Sequence, residues 1–204
     1  DTKKSLWVAG ASDTDESAAE KDADPTKAQK NKQNYTPAKW DIQKYVTTNS
    51  FINNDKSNVN WYFLRYADVL LMYAEALNEW HHGPNNAALA ALNMVRRRGY
   101  GLPYNEANTT VDLKSTSYEG FQEYIRNERA YELAFEGNRR QDLIRWGIYY
   151  ETIVNTYIKL IGWYPEANYV AYQYTQKNKH ELLPIPARDM SLMENFKQNQ
   201  GWGD

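Results

Sequence analysis

The chain has 204 residues, with 24 Lys and Arg against 26 Asp and Glu for a net charge of −2, and it contains no cysteine. That balance argues against a nucleic-acid binder, which carries a basic face. The missing thiols exclude disulfides, thiolate catalysis and cysteine-based zinc sites. Mean hydropathy is −0.84, and no apolar run approaches the about 20 residues that span a bilayer. The opening DTKKSLWVAG lacks the apolar core of a secretion signal, so any targeting segment is expected to have been removed or to lie outside this stretch. The length suits one domain with its own core. The unusual feature is 17 Tyr and 7 Trp, rings that suit binding surfaces as well as cores.

Residues 1–60 read as a loop-rich lead-in. Leu6 to Ala9 fits a short strand. Asp13, Asp15, Glu16, Glu20, Asp22 and Asp24 then precede Lys27, Lys30 and Lys32, a charge reversal expected of a solvated loop. Asp13-Thr14-Asp15 has the start of a calcium loop, but no Gly follows at the sixth position and no Glu at the twelfth, so a surface loop is expected. Trp40 to Thr47 fits a second strand or an extended lead into a helix.

The segment Asn60 to Arg98 organises the chain as two helices with a break. Phe63, Ala67, Leu70, Ala74 and Leu77 recur on one helical face, while Tyr66, Val69, Tyr73, Ala76 and Trp80 form a second apolar row. Polar residues are left the stripe Arg65, Asp68, Glu75 and Glu79, so the helix calls for neighbours on two sides. Gly83 suits a left-handed residue past the helix end, Pro84 blocks continuation, and Asn85 suits the next N-cap. The second helix sets Leu89, Leu92 and Val95 beside small Ala88 and Ala91, and its closing Arg96, Arg97 and Arg98 suit the negative end of the dipole. A hairpin of this size, large side chains against small, is the unit of tetratricopeptide-like solenoids.

After a connector from Gly101 to Ser117, Tyr118 to Glu136 fits a third helix with Phe121, Tyr124, Ile125, Tyr131 and Phe135 on an apolar face. Gly137 is expected to end it. Asn138 to Gln141 has capping-box spacing for a fourth helix with Leu143, Ile144 and Trp146 inward. The sequence leaves open whether Ile148 to Leu160 continues as helix. Gly162 to Lys179 reads as an aromatic loop, Glu181 to Pro186 as extended, and Pro186 as the start of a short helix through Asn195. The expected layout is all-α: residues 61–160 form helical hairpins, residues 161–204 form an aromatic loop and terminal segment, and the whole makes one structural domain.

Five blocks taken together, RYADVLLMYAEALNE (65–79), Asn93-Met94-Val95-Arg96 with its following arginines and Gly99, NERAYELAFEGNRRQDLIRWG (127–147), ELLPIP (181–186) and QNQGW (198–202), resemble the SusD/RagB family. The resemblance covers essentially the whole chain. It implies a tetratricopeptide-like fold with long irregular loops and a role in polysaccharide utilisation as a Bacteroidetes outer-membrane lipoprotein. It further implies non-catalytic binding of a glycan or other nutrient at the extracellular face, for delivery to a SusC-like TonB-dependent transporter. This chain would then be a C-terminal portion, with the remaining N-terminal half of the same protein as partner and the lipid anchor outside these residues. No cofactor, metal or nucleic acid is implied. The alternative is a helical-repeat module that binds protein or peptide in a groove.

Three constellations bear on chemistry. Glu128, Glu132 and Glu136 share one stripe, a spacing that admits a glycosidase pair. The many arginines nearby (Arg129, Arg139, Arg140, Arg145 and Arg96 to Arg98) favour structural ion pairs that hold the carboxylates ionised, so no catalytic residue is assigned. Glu79-x-x-His82 has one half of a di-iron spacing, yet adjacent His81 and His82 point about 100° apart on a helix, so an exposed helix end is expected. The ligand-binding candidates are the rings outside helix faces: Trp7, Tyr35, Trp40, Trp163, Tyr164 and Tyr169. Sugar C–H faces lie flat on such rings, and Asn31, Asn34, Gln43, Asn168 and Gln173 supply amide partners for hydroxyls. Trp61, Trp80 and Trp146 are assigned to packing.

Overall fold

The computed structural model describes residues 7–9, 35–37, 39, 60–193 and 195–203, the two three-residue segments as backbone. The chain divides into two compact units, Asp1–Gly137 and Asn138–Asp204. The architecture is α-helical hairpins with long connections, as the periodicity predicts, plus one two-stranded antiparallel ladder. Strand β1 (Trp7–Ala9) pairs with β2 (Tyr35–Pro37), with Val8 opposite Thr36. The expected first strand is thus present. The ladder partner is Tyr35–Pro37, and the segment Trp40 to Thr47 lies outside the described residues, as does the Asp13-Thr14-Asp15 loop.

In the first unit, helices α1 (Tyr66–His81), α2 (Asn86–Gly99) and α3 (Tyr118–Glu132) pack on one another. Their core is Leu71, Ala74, Ala88, Ala91, Leu92, Val95, Phe121 and Ile125. Ala88 and Ala91 let α2 approach α1 closely, and each large apolar side chain sealed there contributes roughly 1.5–3 kcal/mol. Asn85 caps α2 through its side chain, which accepts from Ala88 N–H at 2.8 Å, as its position predicts. At the end of α1 the left-handed residue is His82, with φ 50°, and not Gly83; its N–H and that of Gly83 both reach the Asn78 carbonyl.

The faces of α1 differ from the expected partition. Phe63 precedes the helix and is 92% exposed, and the row Tyr66, Val69, Tyr73 and Trp80 faces solvent, so Trp80 is not a packing residue here. Part of the polar stripe lies inward beside Leu71 and Ala74: Asp68 and Glu75 are buried, as is neighbouring Asn78, while Glu79 stays exposed. Asp68 takes a hydrogen bond from Arg129 at 2.7 Å, and Asn78 donates to the Tyr118 carbonyl at 3.2 Å. Periodicity shows which residues share a face, whereas paired charges on the neighbouring helix decide which face turns in.

The connector between α2 and α3 is tied to α2. Buried Asn93 exchanges two hydrogen bonds with Leu113 backbone, at 2.8 and 3.0 Å, and Arg97 forks onto Asp112 at 2.6 and 2.5 Å. Helix α3 stops at Glu132, four residues short of the expectation. The chain then turns through Phe135 at φ 65° and Gly137 at φ 86°. Tyr131, still on the helix, and Phe135, beyond it, both expected inward, are exposed.

The second unit holds α4 (Arg139–Arg145), α5 (Tyr149–Trp163), α6 (Val170–Tyr174) and α7 (Ala187–Leu192). Asn138 makes no side-chain cap, so the expected capping box is not formed. Gly147 at φ 70° breaks the chain between α4 and α5, which settles the open question about Ile148 onward: a new helix begins at Tyr149. Leu143 and Ile153 are its buried apolar residues. The closing QNQGW folds back on ELLPIP. Gln198 bonds both the N–H and the carbonyl of Ile185, at 2.7 and 2.9 Å, and Trp202 Nε1 donates to the Lys179 and Leu182 carbonyls at 3.1 Å. Among the described residues no helix is long and apolar enough to cross a membrane.

Candidate functional site

The segment between Gly162 and Lys179, expected to be an aromatic loop, is a loop over residues 164–169 and again after Tyr174, interrupted by the short helix α6. Trp163 is the last residue of α5, Tyr164 follows it, and Tyr169 precedes α6, so three of the six candidate rings sit on one short reversal. The turn is closed by Ala167 N–H to the Tyr164 carbonyl at 2.9 Å and by Tyr172 N–H to the Tyr169 carbonyl at 3.0 Å. Two ties hold it against α5. Tyr172 stacks on Tyr157 with ring centres 4.0 Å apart and planes 8° from parallel, and Lys177 pairs with Glu151 at 2.7 Å. Tyr157 and Tyr172 are therefore engaged with each other, and other rings are left at the surface of the turn. Trp163 is 76% exposed and Tyr174 71%, Tyr164 is also exposed, Tyr169 is half-buried, and Asn168 and Gln173 lie in the open among them.

The other candidates fall elsewhere. Trp7 and Tyr35 belong to β1 and β2, where they pair with Pro37 and Ala9. Trp40 lies outside the described residues. Sequence reading missed Tyr174, and the Tyr157 to Tyr172 stack has no sequence signal because it joins two helices.

The acidic stripe of α3 forms a charged cage in the first unit. Arg65, just before α1, donates from Nε to Glu136 at 2.8 Å, from Nη2 to the Glu132 carbonyl at 2.6 Å, and from Nη1 to the Glu132 carboxylate. Arg98 also donates to Glu132. Lys39 pairs with Glu136 and caps the end of α3 by donating to the Glu132 and Ala134 carbonyls at 2.6 and 2.9 Å. Arg96 meets Glu128 at 3.1 Å. The expected pairing with Arg96 and Arg98 is present. Arg129 turns instead to Asp68, Arg139, Arg140 and Arg145 belong to the second unit, and Arg65 and Lys39 are the cations that helix spacing did not reveal.

Ionisation follows from these contacts. Burial pushes Glu136 toward neutrality, but the Arg65 and Lys39 hydrogen bonds outweigh it and hold the carboxyl below its ordinary value. Glu128 behaves otherwise: burial dominates over its bond from Arg96 and raises its pKa, against the expectation that all three would be held ionised.

Beside the cage, α2 and α3 border a cleft of about 540 Å³. Its walls include Arg96, Tyr100, Tyr124, Asn127, Glu128 and Tyr131, with Glu132 also at its edge. Tyr124 and Tyr131 are seven residues apart, hence on one face of α3, a signal that the sequence did contain. The Glu79-x-x-His82 pair is otherwise engaged: Glu79 accepts from Tyr118 at 2.8 Å and from Gln122 at 3.2 Å, and the His82 ring lies edge-on to Tyr118. Among the described residues no three metal-ligating side chains converge.

Known proteins resemble this chain in sequence and fold. The model of the SusD family matches residues 5–202. SusD-like protein P25 of Formosa agariphila is 37% identical over 142 residues, which are 68% of this chain and 24% of that protein. The crystal structure of a SusD homolog from Bacteroides thetaiotaomicron VPI-5482 is 67% identical with a TM-score of 0.76, over 96% of this chain and 37% of that one. A SusD superfamily protein from Parabacteroides distasonis ATCC 8503 is 25% identical with a TM-score of 0.54, over 83% of this chain and 32% of its own. The chain thus spans about a quarter of the curated relative (24%) and about a third of the solved homologs (37% and 32%). With the hairpin geometry, the five sequence blocks and a match running almost from end to end, the chain belongs to the SusD family.

Proposed function

We propose that this chain contributes a non-catalytic glycan-binding surface to a protein on the extracellular face of the outer membrane. In this reading the protein is lipid-anchored through a segment outside these residues, and it passes its oligosaccharide to a SusC-like TonB-dependent transporter. Membership of the SusD family supports the role. The observation that carries the binding surface is the ring edge of exposed Trp163 and Tyr164 with half-buried Tyr169, set beside the Tyr157 to Tyr172 stack and flanked by Asn168 and Gln173. A ring fixed before the ligand arrives loses little freedom on binding, so flat contact with a sugar C–H face is converted efficiently into affinity. A non-catalytic role is supported by the cage, where Glu132 is bound by both Arg65 and Arg98 and offers no free nucleophile.

The test is a glycan array and titration calorimetry on the full-length protein, with Trp163→Ala, Trp7→Ala and Trp40→Ala in parallel. The expected result is glycan binding that Trp163→Ala weakens at least about 10-fold, the effect of about 1.4 kcal/mol of lost ring contact. Binding untouched by Trp163→Ala would move the platform away from this edge. If no glycan binds at all, the helical-repeat interaction reading takes over, favoured by the exposed row Tyr66, Val69, Tyr73 and Trp80 on α1. Release of reducing sugar that disappears in Glu132→Gln would overturn the non-catalytic assignment.

A further inference from the structure

We propose that the cleft between α2 and α3 is a second carbohydrate subsite, selective for a neutral sugar unit over an anionic one. The proposal rests on the glycan-binding reading above and deepens it by naming a place and a charge class. The cleft volume of about 540 Å³ falls within the range of small-molecule sites and has room for one or two sugar rings. Its walls carry tyrosines on two helices: Tyr100 just after α2, and Tyr124 and Tyr131 on α3. Tyr131 is 66% exposed and Tyr100 44%, so ring area is open to a ligand at the rim, while Tyr124 is half-buried deeper in. Arg96, whose guanidinium lies 5.3 Å from the Tyr100 ring centre, and exposed Asn127 supply polar groups within the same walls. Rings that offer apolar faces, beside an amide and charged groups that exchange hydrogen bonds with hydroxyls, form the lining a polyol requires.

Charge then narrows the class. Arg96 is already committed, to Glu128 at 3.1 Å and to the Val111 carbonyl at 2.7 Å, and Glu132 is held by Arg65 and Arg98. An arriving carboxylate or sulfate would meet two buried glutamates and, among the lining residues, one guanidinium whose charge is already paired with Glu128, and it would leave water to do so. A neutral ring loses no ion hydration and gains acceptors for its hydroxyls. Leu113 and the adjoining connector are fixed to α2 through Asn93, so the cleft wall is set before a ligand binds.

The experiment uses the full-length protein and calorimetric titration with maltotriose, laminaritriose and mannotriose as neutral probes and trigalacturonic acid as the anionic one. The variants are Tyr131→Ala, Tyr131→Phe, Asn127→Ala and Trp163→Ala, each checked for fold by circular dichroism. The proposal expects at least one neutral probe to bind, with affinity reduced about 10-fold or more by Tyr131→Ala, reduced by Asn127→Ala and retained by Tyr131→Phe. It also expects trigalacturonic acid to bind at least 10-fold more weakly than that probe. Affinity unchanged in Tyr131→Ala but lost in Trp163→Ala overturns the cleft and leaves the ring edge standing. The reverse pattern supports the cleft and overturns the ring edge. Equal or tighter binding of trigalacturonic acid overturns the charge selectivity, and no binding of any sugar by the unmutated protein overturns both readings.

Discussion

The two units are stabilised by different means. In the first, helices α1 to α3 close over Leu71, Leu92, Phe121 and Ile125, and the same helices bury Asp68, Glu128, Arg129, Glu132 and Glu136. In the second, buried apolar residues are few, and the chain is held by a ring stack, by Gln198 and Trp202 bonding backbone groups, and by Arg145 lying 4.7 Å over Trp146 while pairing with Asp142 at 2.9 Å. A region that relies on paired buried charge tolerates little change, because each partner removed leaves an ion stranded away from water. A region that relies on backbone capping and stacked rings leaves other rings at its surface at small energetic cost, which is where a binding edge is affordable.

The largest expected effect is on the charged cage. Arg65→Ala removes four hydrogen bonds at once and leaves buried Glu132 with Arg98 alone and buried Glu136 with Lys39 alone, so we expect a loss of about 3–5 kcal/mol in urea unfolding. A loss below about 1 kcal/mol would show that Lys39 and Arg98 suffice, and the contrast between units would weaken.

Acid sensitivity is the second lever. Glu136 has its folded pKa below the ordinary value, so between the two values the unfolded chain binds more protons than the folded one. Its contribution is present above the ordinary glutamate pKa and is lost as pH falls through the folded one. Glu128 has the opposite shift and a contribution of opposite sign, since protonation relieves its buried charge. Melting temperature followed from neutral pH into the acid range should therefore fall less steeply in Glu136→Gln than in the unmutated protein, and more steeply in Glu128→Gln. Parallel curves would remove the cage from the account of acid stability.

A smaller effect is expected at the turn after α3. Gly137 sits at φ 86°, and a Cβ there would meet only Trp61, at 3.9 Å, so the cost of Gly137→Val is backbone strain and not a clash. About 1–2 kcal/mol of lost stability is expected; unchanged thermal unfolding would show that the turn relaxes. Smallest of all is Trp163→Ala. With 76% of the residue exposed, its truncation should change stability by less than about 0.5 kcal/mol while removing glycan affinity. A large stability loss would make the ring part of the scaffold and erase the distinction between the units.

Much of this was legible from residue order. The hairpin break at Pro84 and Asn85, the core of α2 and the basic residues that close it follow from spacing, capping chemistry and helix dipoles, which act over one or two turns. Element ends were less legible: α3 stops at Glu132, where Lys39 and Arg65, both far away in sequence, take up the Glu132 carbonyl. Of the candidate rings, Trp163, Tyr164 and Tyr169 could be named from composition, but the brace that fixes them could not, since Tyr157 meets Tyr172 only after α6 folds back on α5. The cleft tyrosines on α3 share a readable face, while Tyr100 joins them only when α2 is in place.

By itself the sequence determined the main helices, the Asn85 cap and the family, because these depend on periodicity and short-range motifs. Only the tertiary structure decided which face of α1 turns inward, which cations satisfy Glu132 and Glu136, and which rings stay free. Those outcomes depend on partners distant in sequence, whose charges and surfaces compete for the same space once the chain has folded.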